Sequence, residues 1–74
     1  MEQKYTQVKI KYTNGFYEVS WIPEEFAKIN KAVVIGKNKQ SGRPATVVEV
    51  WGGDLTKSQV EINRTHPLKA VTDI

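Results

Sequence analysis

The sequence predicts a mainly β protein, a small SH3-like β-barrel of four to five antiparallel strands with one or two short helices. Three observations carry that expectation. Residues 6–21 alternate between apolar and polar on both sides of an Asn14-Gly15 turn. Segments 32–36 and 45–51 hold apolar residues on both parities, as strands covered on two sides do. With only 74 residues, closing the sheet is also the direct way to hide its edges.

The hairpin comes first. Val8, Ile10 and Tyr12 alternate with Gln7, Lys9 and Lys11, and Tyr17, Val19 and Trp21 alternate with Phe16, Glu18 and Ser20. If Asn14 and Gly15 form a two-residue loop, paired positions sum to 29. Tyr12 then faces Tyr17, Ile10 faces Val19 and Val8 faces Trp21, all on one apolar face. Lys11 meets Glu18 on the other face, which also carries Lys9 and Phe16.

Pro23, Glu24 and Glu25 then suit the start of a short helix, one or two turns long or 3₁₀, with Phe26 and Ile29 turned to the core. Residues 32–36 form a third strand and 45–51 a fourth. Between them runs a polar, basic loop, 36–44, expected to be mobile and exposed. Thr56 and Gln59 have capping-box spacing, which favours a helix from about 57 to 65 stopped by Pro67. Val60 and Ile62 also alternate as in a strand, so both readings stand. From Leu68 onward, Val71 and Ile74 are the anchors of a tail that packs back. The whole of 1–74 reads as one small β domain, with 57–74 helical or peripheral.

Composition excludes several classes. Without cysteine there is no disulfide and no thiolate metal site, which suits a reducing cytoplasm. The longest apolar runs are far too short to span a membrane, and the polar start Met1-Glu2-Gln3-Lys4 lacks a signal-peptide core. A cytoplasmic protein is expected. Catalysis is not: His66 is the single histidine, Glu24 and Glu25 are adjacent and diverge on a helix, and no phosphate-binding glycine pattern is present. The expectation is a non-enzymatic binding protein with no cofactor and no metal.

Two surfaces are candidates. For a protein partner, Trp51 is the chosen anchor, with Arg64, His66 and Lys69 as a polar rim. Trp51 equally suits a place in the core, whereas Trp21 is expected there. For nucleic acid, the candidates are Lys9, Lys11, Phe16, Lys37, Lys39 and Arg43, a basic strip with an exposed aromatic. The net charge of +3 permits such contact without demanding it. A lysine-rich face also serves simply to keep a small protein soluble.

The stretch Trp21-Ile22-Pro23-Glu24-Glu25-Phe26-Ala27-Lys28 resembles a group of small phage-encoded proteins of uncharacterised function. Those carry a Trp-aliphatic-Pro-x-x-Phe-Ala stretch and a Val-Val-containing strand, matched here by 32–35 and 46–51. They end in Thr/Ser-Asp-Ile, matched by Thr72-Asp73-Ile74. Their Gly-Trp before the second strand is replaced by Arg43-Pro44-Ala45. The resemblance implies a viral accessory protein acting in the infected bacterial cytoplasm, and proteins of this size from phages frequently bind a host protein. Binding of a host or phage protein is the leading expectation, with a minor virion component as the third reading.

Overall fold

A computed structural model describes residues 3–38, 40–63 and 66–73. It has strands β1 (Lys4–Tyr12), β2 (Tyr17–Pro23), β3 (Ala32–Ile35), β4 (Arg43–Thr56) and β5 (Val71–Asp73), with helix α1 (Lys57–Asn63) between β4 and β5. A single 3₁₀ turn, Glu24–Phe26, follows β2. The strands form one antiparallel sheet in the order β2-β1-β4-β3-β5, open at both edges by strand pairing. No described helix is long and apolar enough to cross a membrane.

The hairpin register differs from the expected one by a single residue. Val8 faces Ser20, Ile10 faces Glu18 and Lys11 faces Tyr17, so paired positions sum to 28. The cause is a loop of three residues, Thr13–Gly15. Tyr12 donates its N–H to the Phe16 carbonyl at 2.8 Å, and Gly15 donates to the Tyr12 carbonyl at 3.0 Å. The Asn14 side chain accepts the Phe16 N–H at 3.1 Å. Gly15 lies at φ +93°, the left-handed residue that closes a three-residue hairpin. Because side chains alternate with period two, one extra loop residue moves all of β2 to the opposite face.

The core face therefore carries Thr6, Val8, Ile10 and Tyr12 with Glu18, Ser20 and Ile22, not Tyr17, Val19 and Trp21. Ile22 takes the fully buried place expected for Trp21, packing with Val8, Ile10, Val33, Ala45 and Val47. The exchange puts Ser20 on the buried face, where its hydroxyl has no hydrogen-bond partner among the described residues.

Trp21 is still buried, but on the other face of the sheet. Its N–H donates to the Pro67 carbonyl and its carbonyl accepts the Lys69 N–H, both at 2.9 Å. The contact is a one-residue parallel bridge to Leu68. Prolines limit it on both sides. The next bonds of such a ladder would need N–H groups from Pro67 and Pro23, which have none. The same segment then enters β5, which pairs with β3, so it laces β2 to the far side of the sheet.

Strand β4 is longer than expected, 43–56 against 45–51, and carries three extra residues relative to β1. The register steps from Ile10 opposite Val47 to Lys9 opposite Glu49, then from Val8 opposite Val50 to Gln7 opposite Gly52, then to Tyr5 opposite Leu55. Val48, Trp51 and one residue of the Gly53-Asp54 pair are the extras. Each is a bulge that bends the strand and increases its twist. Gly53 sits at φ +97°, with its backbone against the Trp21 ring.

The capping box forms as expected: Gln59 N–H reaches Thr56 Oγ1 at 3.4 Å, and Thr56 N–H reaches Gln59 Oε1 at 2.9 Å. The segment is thus helical to Asn63, and Val60 is buried while Ile62 is exposed. Of the expected pair Phe26 and Ile29, Phe26 packs on the core and Ile29 is exposed. Pro23 closes β2 instead of starting a helix. In the 36–44 segment Asn38 Oδ1 accepts the Gln40 and Ser41 N–H groups, and Arg43 and Pro44 already belong to β4. Val71 packs against the core, whereas Ile74 lies outside the described residues.

Two expectations follow for stability. A Cβ on Gly53 would meet Trp21 Cη2 and Cζ3 at 2.6 Å, but one on Gly52, also at positive φ, meets nothing within 4 Å. Both Gly→Ala changes strain the backbone by about 1–3 kcal/mol. Gly53→Ala should cost a further ~1–3 kcal/mol from overpacking, read as a lower urea midpoint. Ser20→Ala removes an unbonded buried hydroxyl and should leave the midpoint unchanged or raise it, by up to about 1–3 kcal/mol. A clear loss on Ser20→Ala would mean that the hydroxyl is engaged.

Candidate functional site

Two places gather the polar and aromatic residues. The first is an open groove of about 480 Å³ where the core face runs out at the hairpin end of the sheet. Tyr12, Phe16, Glu18, Ile35 and Arg43 line it, all of them on core-face parity. Asn14, Tyr17, Ser41 and Lys69 complete the rim. The three-residue turn brings Glu18 and Phe16 to this side. The Arg43–Ile35 pairing at the start of β4 brings the cation.

Inside the groove the Tyr12 hydroxyl donates to Glu18 Oε1 at 2.6 Å. Lys69 Nζ lies 3.6 Å from the other Glu18 oxygen. Burial pushes the Tyr12 phenol well above its ordinary value, helped by the hydrogen bond and negative charge of Glu18 and opposed by the Arg43 charge. The carboxylate is thus doubly engaged, while Arg43 makes no ion pair among the described residues. Phe16 is 71% exposed, with its ring uncovered beside these groups.

The second place is a polar–aromatic ladder on the opposite face. Lys9 Nζ stands 4.8 Å from the centre of the Tyr17 ring and 3.4 Å from Glu49 Oε2. Lys11 approaches the same ring at 5.6 Å. Glu49 Oε1 accepts the Trp51 indole N–H at 3.3 Å, and the His66 ring meets the Trp51 ring edge-on at 6.0 Å. Trp51 is 52% exposed, so of its two sequence readings the surface one holds. Its place as the extra residue between Val50 and Gly52 explains this, since a bulge re-aims the side chain it carries.

The structure divides the residues singled out from sequence. Trp51 and His66 come together, whereas Lys69 goes to the groove. Arg64 lies outside the described residues. In the basic strip, Lys9 and Lys11 share the Tyr17 face, while Phe16 is on the other parity and meets Arg43 in the groove. The expected placement of Phe16 beside Lys9 and Lys11 fails with the hairpin register. Lys37 is exposed in the loop after β3, at the groove's end of the sheet, and Lys39 is outside the described residues. Sequence reasoning missed Tyr12, Glu18 and Glu49. Only the turn length would have revealed the first two.

Among the described residues no cluster of three or more His, Asp or Glu is placed to hold a metal ion. Comparison with known protein families, with curated proteins and with solved structures finds no match.

The Tyr12–Glu18 bond has a pH signature. Folding favours the neutral phenol, so above about pH 10 the unfolded chain releases its proton first. The contribution is full below that pH and is lost as pH rises further. Wild-type stability should therefore fall more steeply than that of Tyr12→Phe above about pH 10, measured by urea unfolding across an alkaline series. Parallel profiles would mean that the phenol is neither buried nor held by Glu18.

Proposed function

We propose that the protein is a non-enzymatic phage accessory protein that binds a host or phage protein through the surface around Trp51. The observation that carries this reading is the bulged Trp51. It is half-exposed, yet its ring is oriented by Glu49 at one edge and His66 at another. A large aromatic held in one orientation in solvent loses little further freedom when it enters a partner's pocket, and tryptophan is enriched at the energetic centres of interfaces. No buried function explains the placement, because the core closes without it.

The scaffold is proposed to be an SH3-like barrel. Support comes from the segment 67–73, which bonds to β2 at Trp21 and then pairs with β3. The phage origin and the bacterial cytoplasm rest only on the resemblance of the Trp21–Lys28 stretch and the segments after it.

The test is affinity capture from nuclease-treated bacterial lysate at about 200 mM salt, where phosphate-driven binding is weakened. A stoichiometric protein should be retained by the wild type and lost with Trp51→Ala. The melting temperature should hold, because an exposed substitution moves stability by no more than about 0.5 kcal/mol. Retention unchanged by Trp51→Ala would sink the reading. Recovery with virus particles instead would favour a virion component.

A further inference from the structure

We propose that the groove at the hairpin end is a separate site for single-stranded nucleic acid, with a base on the Phe16 ring and the adjoining phosphate at Arg43. The groove lining includes none of Glu49, Trp51 and His66, and the proposal goes beyond the protein-binding reading.

Two kinds of group converge there. The Phe16 ring stands exposed in the groove lining, and the exposed Tyr17 ring, approached by Lys9 and Lys11 on the other side of the strand, reaches the rim. A base offers a flat face to such rings whatever its sequence. Around them Arg43 and Lys69 line the groove, Lys11 lies against Tyr17, and Lys37 projects from the neighbouring loop. The groove has one carboxylate, Glu18, already held by the Tyr12 hydroxyl and by Lys69. Arg43 and Lys11 have no ion pair among the described residues, so their charge is available to phosphates.

Size and shape agree. At about 480 Å³ the groove falls in the range of small-ligand pockets, about 300–1,000 Å³, and takes one nucleotide unit at a time. It is open, so a strand can enter and leave at its ends. An acidic peptide would use the same cations but leaves the exposed Phe16 ring without a role.

The test is fluorescence anisotropy of the full chain with a short labelled oligothymidylate at about 50 and about 200 mM salt. Binding should appear at the lower salt and weaken steeply at the higher. Phe16→Ala and Phe16→Leu should each weaken it about fivefold or more, as expected for a lost stacking contact. Arg43→Gln should weaken it and reduce the salt slope by about one phosphate. Trp51→Ala and Lys57→Gln should bind as the wild type does, which separates this site from the proposed protein interface. Circular dichroism of each variant checks that the fold survives. Absence of binding at low salt would overturn the proposal. So would equal binding of a duplex, or wild-type affinity in the Phe16 and Arg43 variants.

Discussion

The bond from the Tyr12 N–H to the Phe16 carbonyl closes the first hairpin, and the position of every side chain on β2 follows from it. It fixes a loop of three residues and so decides which residues of β2 turn to the core. Ile22 goes in, and Trp21 goes out to the second face. The indole left on that face is buried with the Gly53 backbone against its ring, while residues 67–69 bond to its backbone. The polar groove is a further result, because the same parity brings Glu18 beside Tyr12 and Arg43.

Strand β4 solves a different problem. It is the long central strand, pairing with β1 along one side and β3 along the other. A flat strand of this length would not wrap a core this small. Three bulges supply the curvature, and the one at Trp51 also turns an aromatic outward. The same local irregularity bends the sheet and builds the exposed feature on it. Glu49 and Lys9 then tie that feature back to β1 through a half-exposed ion pair of modest strength.

The strand content was readable from alternation and from the Asn14-Gly15 turn, and the helix after Thr56 from its capping spacing. The hairpin register was not. Both loop lengths use Asn-Gly, and the two-residue version gave the more attractive pairs: Tyr with Tyr, Lys with Glu. The folded chain instead sets Ile10 against Glu18 and buries Ser20, a local cost offset by the burial of Ile22 and the tertiary cover over Trp21. Gly53 packs on that ring and residues 67–69 bond to the Trp21 backbone, from about 30 and about 45 positions away, which no pairwise rule within the hairpin senses. The exposure of Trp51 was similarly hidden, because bulges leave little trace in hydrophobic patterning. Of the candidate residues, those at strand ends moved together as the topology dictated, not as the linear strip suggested.

The one-residue bridge between Trp21 and Leu68 implies a hierarchy of local opening. Pro23 and Pro67 stop it from extending, so the clasp is held to β2 by two backbone bonds while β1 and β4 share a long ladder. A segment tied so lightly is the natural first unit to detach when the protein breathes. In amide hydrogen exchange, Trp21 and Lys69 would lose protection well before Val8 or Ile10. In that open form the Trp21 backbone groups would turn to water while the central sheet stays intact, giving the fold a dynamic seam along one edge.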